Sequence, residues 1–208
     1  MAAAAGCAGL VGSLMMLLAL VAAPGPWLQG YVSEAGIAGL PLAAPYRLGL
    51  VLLAGGAGLL GLALRHRSRL AALLLGGAAA FAAASGAVPC SSGCPLPPYE
   101  PATAGDVVHA GATVVASFLL AGAMVTVART PAPARRLAAV AAALIVPLGG
   151  ALGLIMLLVG RDPAGAILER LVLLVAVGWL VGTALLTALG PAPSPASKAV
   201  RPGFRSVP

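Results

Sequence analysis

Apolar residues in this chain do not alternate with polar ones. They run on for about 16–24 positions and then stop at proline, glycine or charge. Such runs match the ~20 residues an α-helix needs to cross a ~30 Å hydrocarbon core. Six are drawn, at about 8–23, 46–64, 70–88, 106–128, 137–159 and 166–189. Pro24, Gly25 and Pro26 close the first, and Trp27 beside them suits an interfacial position. Pro89 closes the third. Without period-two alternation an outer-membrane β-barrel is not expected. The pattern predicts an all-α polytopic membrane protein, a bundle of six transmembrane helices within residues 1–190.

Composition fits that reading. The chain of 208 residues is 61% hydrophobic and 8% charged, where a soluble domain carries roughly 25% charged residues. Its mean hydropathy is +1.06. The stretch 191–208 is rich in proline, serine and small residues and has nothing to build a core. It is expected to be a disordered basic tail, with Lys198, Arg201 and Arg205 near anionic headgroups. Residues 1–23 resemble a signal peptide in part but lack its basic start, so a retained first helix is expected. Eleven arginines against one lysine, with abundant alanine and glycine, match the usage of a high-GC bacterium.

The net charge of +7 does not point to nucleic acid, because the cations sit at the ends of apolar runs rather than in a patch with interleaved aromatics. They set topology instead. Arg65, Arg67, Arg69, Arg129, Arg135, Arg136 and the three tail cations fall on one side, with no acid among them. Glu34, Glu100, Asp106, Asp162 and Glu169 fall on the other, with Arg47, Arg161 and Arg170. The positive-inside rule makes the first side cytoplasmic, with both termini inside and the protein in the plasma membrane. The expected partners are the lipid bilayer and a bound lipid or another membrane protein complex.

Small residues recur within the runs. Gly149 with Gly153, Gly178 with Gly182, and Gly55, Gly58 and Gly61 are expected to let helices approach closely inside the bundle. Pro147 is expected to kink the fifth helix.

The candidate chemistry lies on the outer side. Cys90 and Cys94 flank Ser91-Ser92-Gly93 and are expected to form a disulfide in a small closed loop. The spacing is not that of a C-x-x-C redox motif, and no second Cys or His cluster stands nearby in sequence. No metal site and no cofactor are expected. Cys7 reads as an ordinary small apolar residue. Asp106 and His109 are three apart and share a helical face, Asp106 as the helix cap and His109 one turn deeper. Two uses of the outer residues compete. One is a polar pocket of Arg47, Glu34, His109, Glu169 and Arg170 that takes a lipid headgroup or other anion, the arginines binding the charge. The other is a hydrolase or transferase using His109 and Asp106 with Ser33 as nucleophile. No ionisable residue falls at mid-membrane, which disfavours a transporter.

Short motifs recur in a recognisable order. They are Tyr31-Val32-Ser33-Glu34-Ala35-Gly36, Tyr46-Arg47, Cys90-Ser91-Ser92-Gly93-Cys94-Pro95, Asp106-Val107-Val108-His109 and Gly165-Ala166-Ile167-Leu168-Glu169-Arg170. In this order and spacing the chain resembles the bacterial and archaeal membrane family called domain of unknown function 998. The resemblance implies six helices with the shared polar residues on the outer side. Where many relatives have a Phe-Pro-x-Asp-like stretch, this chain has Val88-Pro89-Cys90-Ser91.

Overall fold

The computed structural model describes residues 1–23, 30–95 and 98–190; Trp27 and the tail from 191 to 208 lie outside the described residues. The chain forms α1 (Ala2–Ala22), α2 (Ala43–Leu64), α3 (Arg69–Ala87), α4 (Ala104–Ala128), α5 (Arg135–Leu158) and α6 (Pro163–Leu189). A short 3-10 turn, Val32–Gly36, stands between α1 and α2, and no strand occurs among the described residues. All six helices are long and apolar enough to cross a membrane. Leu73, Phe118 and Leu174 are among many large apolar side chains that point outward. An exposed belt of this kind suits hydrocarbon rather than water. The protein is a multi-pass membrane protein.

Local chemistry sets the helix starts. Ser68 Oγ accepts the Ala71 amide at 3.2 Å and opens α3. Asp162 Oδ1 accepts the Ala164 amide at 2.8 Å, and Pro163 follows at the first helical position, where its missing N–H costs nothing. Pro147 lies within α5, and the helix continues through it.

Each helix packs against the next in sequence, and α6 closes back on α1, so the six form a ring. One end carries Arg65–Arg69 and Arg129–Arg136; the other carries all five acidic residues. The arginine-end half is solid: Leu60, Leu75, Met124, Val127 and Trp179 fill it completely buried.

Helix contact departs from expectation. A Cβ at Gly149, Gly153, Gly178 or Gly55 would meet nothing within 4 Å, so those faces do not pack in the bundle. The close crossing is α1 on α2 instead. A Cβ on Gly12 would lie 2.4 Å from Gly49 O, and one on Gly56 would lie 2.9 Å from Ala5 O. Gly182 and Gly61 do serve contact, against Leu137 and against Ala72 and Leu75. Gly6, Gly9 and Gly12 recur every three residues, so they share a face that admits the α2 and α6 side chains and backbone.

Candidate functional site

At the acidic end, three connections fold over the ring. The 3-10 turn is drawn in by Tyr31, Val32 and Ala35, all buried. Its first amides are free donors, as at any helix start. The Val32 amide donates to Glu169 Oε2 at 2.5 Å, joining the first connection to α6. Glu34 Oε1 accepts the Tyr31 amide at 3.1 Å and forms an ion pair with Arg161. Arg161 also donates to Gly93 O and stacks its guanidinium 5.8 Å from the centre of the Tyr31 ring. One side chain in the α5–α6 connection thus binds both of the others. Burial raises the Tyr31 phenol above its ordinary value, so it stays neutral. A Cβ at Gly165 would lie 2.2 Å from Tyr31 Oη, so only glycine allows the phenol to settle there. Arg170 donates to Gly30 O at 3.0 Å and to Ala166 O at 2.7 Å.

The C-terminus of α3 is the second centre. The last carbonyls of a helix lack partners within it. Arg47 from α2 takes two, Nε to Gly86 O at 3.1 Å and Nη2 to Ala87 O at 2.7 Å. His109 from α4 takes the flanking pair, with Nδ1 2.9 Å from Ser85 O and 3.1 Å from Val88 O. Carbonyl oxygens only accept, so Nδ1 carries the proton and Nε2 the lone pair in the neutral ring. Ser85 Oγ lies 2.8 Å from Thr113 Oγ1, which itself donates to His109 O.

Asp106 opens α4. Its carboxylate accepts the Thr103 amide and hydroxyl at 2.7 Å each, in a capping arrangement. It also accepts the Ser91 amide at 2.6 Å and the Ser91 hydroxyl at 2.9 Å, which ties the cysteine loop to α4. Cys90 and Cys94 lie at disulfide-bonding distance, their Cα atoms 5.1 Å apart. The two sulfurs and one ring nitrogen of His109 all lie within 4.8 Å of one another.

Beneath these connections, inside the ring, is a cavity of about 130 Å³. One water needs only ~10–15 Å³ by a comparable measure. Its polar lining groups, Ser33, Tyr46, Ser85, His109, Thr113 and Glu169, gather toward the acidic end, among apolar neighbours such as Met16, Leu50 and Leu173. Its floor is apolar, with Leu53, Ala57, Leu120, Ile145 and Leu180. Thr113 and Ser117 line it yet are exposed, and the buried residues of α5, Ala138, Ala141 and Ile145, all lie in its arginine-end half. Of α5, Ile145 alone is among the lining residues.

The candidate residues therefore separate. Ser33, His109 and Glu169 meet at the cavity. Arg47 and Arg170 are not among its lining residues and hold backbone carbonyls instead. Glu34 serves Arg161. Among the described residues no hydrogen bond joins Asp106 to His109; the acid holds Ser91 and Thr103. Sequence reasoning passed over Arg161, Ser85 and Thr113. The turn Gly160-Arg161-Asp162-Pro163 was a signal for the first, whereas nothing local distinguishes two hydroxyls within apolar runs. It also gave no hint that His109 stands beside the cysteines, since 14 residues separate it from Cys94.

A family model described as protein of unknown function (DUF998) matches residues 5–186, nearly the whole chain, and the chain belongs to that family. No curated protein and no solved structure matches it.

Proposed function

We propose that this DUF998 member is a plasma-membrane binding protein that holds one amphipathic molecule, its polar group at the acidic end and its hydrocarbon on the cavity floor. The acidic end faces outward in this reading, supported by the arginines massed at the other end. One observation carries the proposal: the polar side chains of the cavity gather at its acidic end over an apolar floor, and Thr113 and Ser117 of its α4 wall are exposed on the flank of the bundle. A lipid can enter such a cavity without leaving the membrane.

The lining also narrows the ligand. An anionic headgroup needs a cation to receive it, and Glu169 is the only charged residue lining the cavity among those described. The polar part is therefore a hydroxyl or an ammonium, which Glu169 accepts and the hydroxyls of Ser33, Ser85 and Thr113 complement. This replaces the anion expected from Arg47 and Arg170.

The test uses three probes with the same C18 chain, an amine, an alcohol and a carboxylic acid, each at equal mole fraction in nanodiscs. A ligand that binds only the folded state raises the unfolding temperature. The amine and alcohol are expected to raise it and the acid is not. Glu169→Gln should abolish the amine's effect. Equal shifts with all three probes, or an unchanged amine effect in the variant, would overturn the proposal.

A further inference from the structure

We propose that Cys90, Cys94 and His109 form, once a thiol reductant has opened the disulfide, a three-ligand site for a thiophilic d10 cation such as Zn²⁺ or Cu⁺. The geometry is of the right size. Two donors on one zinc ion lie no further apart than the sum of their bonds, about 4.4 Å for a sulfur at ~2.3 Å and a nitrogen at ~2.1 Å. The two sulfurs and one ring nitrogen of His109 fall within 4.8 Å of one another, so a small shift of the loop brings all three onto one ion. The three residues between the cysteines lie within the two to four common in zinc ligand pairs. Two thiolates and an imidazole with a fourth position open form a known catalytic zinc set, and soft ligands of this kind also select Cu⁺.

The imidazole is prepared for ligation. Ligating histidines usually donate their second ring N–H to a carbonyl or carboxylate, which fixes the tautomer. Here Ser85 O and Val88 O hold the Nδ1 proton, so Nε2 carries the lone pair and is the nitrogen that would bind the cation in this proposal. The loop is also held beside His109 by bonds that reduction does not touch. Ser91 remains on Asp106 and Gly93 O remains on Arg161. Opening the disulfide therefore leaves both sulfurs near the ring.

The steps balance. Two thiol molecules give up two electrons and two protons to the Cys90–Cys94 bond and leave as their own disulfide. The two cysteine thiols then lose two protons as they bind the cation. With Zn²⁺ the two thiolates cancel the metal charge.

The experiment uses the full chain in nanodiscs, oxidised or reduced with excess thiol and then freed of it without oxygen. Zn²⁺ or Cu⁺ is titrated against a chromogenic chelator. The reduced protein is expected to take one equivalent of at least one ion, and the oxidised protein none. Cys94→Ser and His109→Gln should each weaken binding by about 100-fold or more, since even outer-shell partners are worth ~10–100-fold. Glutamine keeps a donor for the α3 carbonyls, and a single elution peak shows that each variant is folded. Free-thiol labelling of Cys90 and Cys94 that saturating metal does not slow, or equal affinity in the two variants and the wild type, would overturn the site.

Discussion

His109 Nδ1 sits 2.9 Å from the carbonyl oxygen of Ser85, so a residue of α4 closes the end of α3. Arg47 completes that closure from α2. Three helices are locked together at the rim of the cavity by backbone carbonyls that α3 cannot satisfy itself. His109→Ala should expose the Ser85 and Val88 carbonyls and lower stability by about 1–3 kcal/mol. Thermal unfolding in detergent checks this, with His66→Ala as a near-neutral control. His66 lies at the arginine end, where its described partner is its exposed neighbour Arg65.

The α1–α2 crossing predicts opposite results for two glycines. Gly12→Ala places a Cβ against the backbone of Gly49 and Leu53, which has nowhere to move. It should cost about 1–3 kcal/mol. Gly149→Ala meets nothing and should leave stability within about 1 kcal/mol. Unfolding temperatures of the two variants, measured side by side, decide it.

Arg161 joins Glu34, Gly93 and Tyr31. Its side chain and that of Glu34 are about a quarter exposed, at 27% and 26%, so solvent weakens the pair. Arg161→Ala should cost about 1–2 kcal/mol and free the three connections together. Faster amide exchange in both 31–36 and 90–95 would show it; a change confined to 160–163 would contradict it.

Tyr31 predicts a pH effect. Its phenol is raised by burial, so the folded state holds the proton more tightly than the unfolded chain. The stabilising contribution is complete below the ordinary tyrosine range near pH ~10 and is lost as pH rises through the higher folded value. Tyr31→Phe should flatten the alkaline fall in unfolding temperature above about pH 10.

The six helices were legible because hydrocarbon demands long apolar runs, and nothing subtler is needed to see them. Asp106 was legible as belonging to a helix start but not in its role: Thr103 is the N-cap, its Oγ1 accepting the Asp106 amide, and Asp106 completes the capping box from the third helical position. The partners of Arg47 were not legible. Its carbonyls belong to the end of α3, 39 and 40 residues away, and backbone acceptors leave no mark in a sequence. The glycine contacts failed for a related reason. A G-x-x-x-G pattern says that a face is small, and Gly149 and Gly153 show that a small face can be left open. The cavity was hidden because its lining comes from all six helices and the 3-10 turn, which no local pattern joins.

The central claim is that the cavity holds one lipid-like molecule, and native mass spectrometry of the gently extracted protein tests it most directly. Ala176 lines the cavity, and Leu174 on the same helix points outward. The wild type and Leu174→Phe are expected to carry one retained adduct per chain. Ala176→Phe, folded but with the cavity filled, is expected to carry none. The same adduct at the same occupancy in all three would contradict the account.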